Sequence, residues 1–325
     1  MASSAAAVPS EPQVSAPVAS SAAAAPISSS SSGAAATPLP VLLALPLTDF
    51  DTTEVSVPWK LLRDAGVPVV FATESGATGA TDPKLLTGVL WTNDSMAAGA
   101  EAKDFYQQMI ATHEFQHPIT FADFERDADK YSALVLPGGH APGMRVGFLE
   151  SASLQAAVRA FWRLQRPVAA ICHGVLVLAR TKAETEGGAK PPAAASSAET
   201  NATPAAAGAP PTTGDGQQSV LFGKRVMTLP KWLERMAYFA SAWKLGRYYR
   251  TYDTYLEDEV IASLAREEDY HRGAKPFFGL APPAKGSRND DTGAEVCVDG
   301  NLISARWPGD AYLFAKTLVA KIQQQ

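Results

Sequence analysis

The chain has 325 residues, 46% of them hydrophobic and 19% charged, with a formal net charge of -5. That balance fits a soluble protein with one large core or two smaller ones, and excludes a collagen, a coiled coil and a disulfide scaffold. With 28 Lys and Arg against 33 Asp and Glu and a pI near 5.6, the surface is not built to follow phosphate backbones, so nucleic acid is not an expected partner.

The two cysteines, Cys172 and Cys297, stand in no C-x-x-C pair and no zinc-like spacing, which points to a reducing compartment and a cytoplasmic location. No apolar run approaches the roughly 18 residues of a membrane helix, so no membrane association is expected. Residues 1–38 are a Ser/Ala/Pro-rich tail, expected to be disordered; its one charged residue is Glu11, so it lacks the basic start of a signal peptide and the arginines of a mitochondrial presequence. Residues 39–325 form the expected domain. It is interrupted at about 187–217 by a second Pro/Ala/Gly-rich stretch, which has too few large apolar side chains to offset its ordering entropy.

In chain order, residues 41–45 predict a buried strand. Thr52-Thr53-Glu54 predicts a helix cap, followed by Val57, Leu61 and Ala65 at helical spacing and Gly66 as a stop. Residues 67–72 and 131–136 predict two further strands. Ser151 caps a helix with the face Leu154, Val158, Phe161 and Trp162, and residues 168–171 predict a fourth strand. This β-α-β-α rhythm predicts an α/β fold, a parallel sheet sandwiched by helices. Beyond the insertion, residues 219–228 and 295–305 predict strands, the latter a hairpin turning at Asp299-Gly300-Asn301. A helical, aromatic-rich segment at about 231–270 reads as a lid or side layer, and Ala311, Phe314, Ala315, Leu318 and Ile322 stripe a last helix.

Two motifs carry chemistry. Cys172 lies where the apolar run 168–171 meets the helix-like run that starts at His173, the position of a nucleophile elbow. The sequence Leu136-Pro137-Gly138-Gly139-His140 follows an earlier strand, where paired glycines let backbone N–H groups face the sheet edge as an oxyanion hole. Helix N–H groups behind the elbow predict a Cys172 thiol with a pKa below the ~8.5 of free cysteine, whereas Cys297, between Val296 and Val298, should react slowly.

These motifs, with Glu54 followed by Pro58, Leu62 and Ala65-Gly66 and with the segment Ser304-Ala-Arg-Trp-Pro-Gly-Asp, resemble the ThiJ/PfpI superfamily, also called the DJ-one family. The resemblance implies a flavodoxin-like, class I glutamine-amidotransferase-like fold. It makes Cys172 the nucleophile and Glu54 a buried acid on the cysteine sulfur, its pKa raised by burial. It also makes the Gly139 and His173 amides the oxyanion hole, with Gly138, Gly139 and His140 as the oxyanion and substrate loop. His173 resembles the base beside the cysteine; an acid should orient it, and Glu234 is the nearest carboxylate to the expected place. No cofactor and no metal are implied, and a homodimer is the family's habit.

The function this implies is a cofactor-independent cysteine enzyme acting on small reactive aldehydes, of the glyoxalase III type, which converts methylglyoxal to lactate. Alternatives are a redox-sensing or chaperone-like stress protein using the aromatic segment, and a Cys-His amidase or peptidase. A true glutamine amidotransferase is not expected, because His271 is the last histidine and sits in a charged stretch rather than in a His-x-Glu pair. The sequence His113-Glu114-Phe115-Gln116-His117 spells the zincin pattern, but Pro118 disfavours helical geometry at His117 and no third ligand follows.

Overall fold

The computed structural model describes residues 38–88, 96–184, 217–250, 252–274 and 284–325. The tail and the insertion at 187–217, apart from residues 38 and 217, lie outside the described residues.

Seven strands form one sheet in the order β3-β2-β1-β4-β5-β7-β6. The strands are β1 (Val41–Ala44), β2 (Val69–Thr73), β3 (Ile119–Thr120), β4 (Ala133–Leu136), β5 (Val168–Ile171), β6 (Val296–Asp299) and β7 (Leu302–Ala305). All neighbours are parallel except the β6–β7 hairpin. Strands β1, β4 and β5 are buried along their whole length. This explains why they read as continuous apolar runs rather than alternating ones: helices cover both faces.

The helices are α1 (Thr52–Asp64), α2 (Pro83–Thr87), α3 (Ala100–Ile110), α4 (His113–Gln116), α5 (Phe121–Arg126), α6 (Ala152–Arg163), α7 (Gly174–Arg180), α8 (Lys231–Leu245), α9 (Leu256–Ala262) and α10 (Ala311–Ile322). On one side α1 packs against α3 and α10; elsewhere α5 packs on α6, α6 on α7 and α7 on α9. Helix α1 starts one residue earlier than its Thr-Thr-Glu signal suggests. Its cap is Asp51, whose carboxylate accepts from the amides of Thr53 at 2.8 Å and Glu54 at 3.1 Å. Ser151 caps α6 through the Leu154 amide, as its sequence predicts.

The strand expected at 219–228 does not form. The place beside β5 is held by β7, and Gly223, at φ +75°, breaks the run. What remains are single bridges, Lys182 to Ser219 and Val226 to Tyr270. The backbone polar groups are met locally: the Val220 amide donates to the Thr181 carbonyl, and the Met227 amide donates to Ser304 Oγ. The segment 231–270 is helical only in part, as α8, α9 and a short turn at Glu267–Asp269.

Candidate active site

The carboxyl ends of β4 and β5 bring the two motifs together. Cys172 follows β5 with φ 54°, in the left-handed region that a non-glycine residue adopts at a cost. Three backbone contacts hold it there. Its amide donates to the Ala305 carbonyl at 3.1 Å, and its carbonyl accepts from the Thr228 hydroxyl at 2.7 Å and the Val175 amide at 3.3 Å. Gly174 lets α7 start against the β4 loop, since a Cβ there would lie 2.1 Å from the Leu136 carbonyl oxygen. Gly138 is equally confined: a Cβ would meet the His173 amide, Cys172 Cβ and Glu54 Oε2 at 2.7 to 2.8 Å.

Glu54, fully buried in the first turn of α1, accepts from the Gly138 amide through Oε2 at 2.8 Å. Its Oε1 is buried with no hydrogen-bond partner among the described residues, and the Cys172 thiol is a neighbour of the carboxyl. Burial first, and the nearby Asp51 charge second, push the Glu54 carboxyl well above the usual range. Asp51 itself is pushed up to about 6 by burial, against the pull of the Glu54 and Thr53 amides and of Lys285.

The thiol departs from its expected state. Burial, with the charges of Glu54 and Asp51, pushes Cys172 well above the ordinary cysteine value, outweighing the neighbouring amide of His173. The helix-amide argument therefore fails for the resting protein, because Cys172 is 1% exposed and faces carboxyl groups. Glu54 and Cys172 cannot both be ionised; between them the pair retains a proton.

His173 places Nδ1 3.4 Å from Cys172 Sγ. Burial, His140 and the positive charges of Arg180 and Arg250 hold it well below the usual histidine value, so its ring is neutral. The ring of His140 meets that of His173 edge-on at 4.6 Å, and burial pushes His140 down to about 4. Among the described residues, His140, Cys172 and His173 are the one group of three or more His, Cys or carboxylate side chains whose ligand atoms cluster, all within 4.8 Å.

Two expected roles change. Glu234 is buried, but its oxygens go to Arg250 Nη1 at 2.8 Å and to the Leu256 amide at 3.0 Å, not to His173. Helix α8 carries it away on an ion pair of its own. Gly138 spends its amide on Glu54, and the His173 amide donates toward the Cys172 thiol.

Beside His140 opens a cavity of about 290 Å³, lined by Leu233, Met236, Tyr249 and Trp307 together with Asp51 and Lys285. Tyr249 donates to Asp82 at 2.8 Å, 167 residues away, which ties the connection after α8 to the cap of α2. No sequence signal marks that pair. Asp51 was within reach, since an Asp just before a helical pattern is a cap signal; Thr228, 56 residues beyond the cysteine it bonds, was not.

The H-E-x-x-H stretch is not a helical metal site. Helix α4 ends at Gln116, and His117 is non-helical at φ -127°, ψ 63°. The two rings nevertheless stack at 4.2 Å, closer than Pro118 suggests, but His117 Nδ1 bonds to the His113 carbonyl. His271 is exposed and faces Glu295.

A sequence model described as ThiJ/PfpI family-like matches residues 45–274, which span the elbow, the glycine loop and Glu54. The chain belongs to the ThiJ/PfpI family. An uncharacterized protein of Schizosaccharomyces pombe is 31% identical over 142 residues, 43% of this chain and 50% of that protein. The DJ-1 homolog D of Arabidopsis thaliana is 42% identical over 78 residues, 24% of this chain and 18% of that one. The matches thus span half or less of these relatives. Among solved structures, glyoxalase III from Candida albicans superposes with a TM-score of 0.53 at 15% identity, covering 87% of this chain and 97% of its own. The rapid encystment protein of 24 kDa from Francisella tularensis gives 0.52 at 16% identity, covering 87% and 98%. At such identities the likeness is one of fold, the flavodoxin-like parallel sheet between helices. No helix among the described residues is long and apolar enough to cross a membrane.

Proposed function

We propose that this ThiJ/PfpI protein is a cofactor-independent cysteine enzyme that converts small reactive aldehydes, methylglyoxal first among them, to the hydroxy acid. The observation that carries this reading is the buried Cys172 sulfur, held in a left-handed elbow between the Glu54 carboxyl and His173 Nδ1 at 3.4 Å.

In the proposed reaction the sulfur adds to the aldehyde carbon while its proton passes to neutral His173. The amides of Gly139 and His173 receive the oxyanion, which is then protonated. His173, having returned its proton to that oxygen, takes the hydrogen on the carbon as a proton while Glu54 protonates the ketone oxygen; the former ketone carbon then takes the proton from His173, and the first carbon's hydroxyl proton returns to Glu54. One carbon is thereby oxidised to a thioester and the other reduced to an alcohol. Water cleaves the thioester, restoring the thiol and releasing lactate, so the sum is methylglyoxal plus water. A proton-holding Glu54 and a neutral His173 suit this, because the reaction needs both an acid and a base on one sulfur. The substrate is thus a small molecule, and a cytoplasmic setting accompanies two unbridged cysteines.

Lactate formation from methylglyoxal without added thiol tests the reading. Cys172→Ala should abolish it, and His173→Ala should lower turnover about a hundredfold with the fold intact. Full activity in Cys172→Ala would end the proposal. A second reading, a chaperone-like stress protein, rests on α8, where Phe239 and Trp243 are 64% and 66% exposed one helical turn apart.

A further inference from the structure

The elbow does more than aim a sulfur at a carbonyl: with His140 it collects three donor atoms of the kind that bind borderline-soft metal ions. We infer that Cys172, His173 and His140 form a zinc-binding site, in which a bound ion caps the nucleophile. In tetrahedral zinc, with Zn–S about 2.3 Å and Zn–N about 2.05 Å, a sulfur and a nitrogen ligand stand about 3.6 Å apart. Cys172 Sγ and His173 Nδ1 are already at 3.4 Å. The third donor lies within 4.8 Å of both, so it closes on the ion by a small movement of the His140 side chain. His140 also lines the 290 Å³ cavity, which supplies the way in and space for a fourth ligand such as water.

Each residue of the cluster offers one ligand atom, two ring nitrogens and a sulfur. The Asp51 and Glu54 carboxyls lie on the cysteine side. The cations nearest His173, Arg180 and Arg250, are paired with Glu259 and Glu234. Binding turns a thiol and two neutral imidazoles into a thiolate complex and releases one proton per ion; no redox change is involved. Because the sulfur lone pair and His173 Nδ1 are both taken, a metal-loaded site cannot add to an aldehyde. That last consequence rests on the proposed function; the binding itself does not.

The test uses the full chain, stripped with chelator, with zinc chloride and cobalt(II) chloride as probes. The expected result is one ion per chain, release of about one proton on zinc binding, and a near-ultraviolet thiolate-to-cobalt charge-transfer band. Cys172→Ser should lose the band, and His140→Gln should weaken zinc at least tenfold, with near-ultraviolet circular dichroism confirming that both variants are folded. A His113→Gln/His117→Gln variant should bind zinc as the wild type does. Binding indifferent to Cys172 and His140, or lost only in the His113/His117 variant, would overturn the site. Turnover persisting at saturating zinc would overturn the capping step. A zinc-free protein that turns over no aldehyde yet shows the cobalt band would fail the enzyme reading and leave the metal site standing.

Discussion

Glu54 and Glu234 stand in matching places, each in the first turn of a helix and each buried, at 0% and 5% exposure. Their surroundings separate them. Glu234 has a cation, Arg250, and the Leu256 amide, and burial raises its carboxyl only against those two pulls. Among the described residues no cation pairs with Glu54; it has one amide, a thiol and a second buried acid, Asp51. A buried carboxylate with its own arginine is explained by the fold, because removing either partner strands the other. A buried carboxyl set against a thiol must keep its proton, which costs stability and makes sense only if that proton is used.

The largest expected effect is on activity. Glu54→Gln should lower kcat/KM for methylglyoxal by about 10²- to 10³-fold, the range for loss of a general acid or base. Glu234→Gln should stay within about threefold. Equal losses in the two variants would erase the contrast and return Glu234 to the machinery.

Stability should separate them in the opposite sense. Arg250→Met leaves Glu234 buried without its cation and should cost about 3 kcal/mol, read as a lower urea midpoint. Glu234→Leu in the same chain should restore most of that loss. Failure of the double variant to recover would assign the cost to other Arg250 contacts, its bond to the Asp253 carbonyl and its stacking at 3.8 Å on Tyr255.

The motif side of this contrast was legible in the sequence, and the lid side was not. Short apolar runs gave β1, β4 and β5, because strands covered on both faces must be apolar throughout. The elbow and the glycine loop followed from chain order alone, since consecutive strands of a parallel sheet deliver their carboxyl ends to one edge. Glu234 could be named but not placed: its partner Arg250 lies beyond α8, and nothing in the spacing shows that the chain folds back there. The strand expected at 219–228 failed for a related reason, since apolar composition cannot tell that β7 already occupies the neighbouring position. The local amides that favour a thiolate are visible in sequence, whereas the burial against two carboxyls that opposes it is not.

A smaller effect lies in the pH dependence of stability. The folded-state pKa of Glu54 is raised above its ordinary 4.5. Its contribution is therefore fully present below 4.5 and is lost as pH rises toward the folded value. Glu54→Gln carries no such loss. The variant's stability relative to wild type should thus improve by up to about 1.4 kcal/mol per pH unit above 4.5, until Glu54 ionises in the folded protein. Comparing the two proteins cancels the opposing effect of His140 and His173, which destabilise the fold as pH falls. A flat difference from pH 5 to 8 would mean that Glu54 is ionised already.

The smallest effect concerns the thiol itself. Ionisation of Glu54 is among the causes that hold Cys172 high, after burial; a glutamine there never ionises and has no proton to share, so thiolate should form at lower pH. In Glu54→Gln, alkylation of Cys172 by iodoacetamide should run roughly threefold faster at pH 8, because the thiolate is the reacting species. Glu234→Gln should leave that rate unchanged, since its carboxylate answers to Arg250. Cys297 provides an internal reference on the edge hairpin; burial raises its thiol as well, but neither glutamate contributes there. Mass spectrometry of both cysteine peptides gives the ratio directly. A slower Cys172 in Glu54→Gln would show the reverse coupling, a protonated Glu54 donating to the sulfur and stabilising the thiolate, and would make the carboxyl an activator of the nucleophile rather than a brake on it.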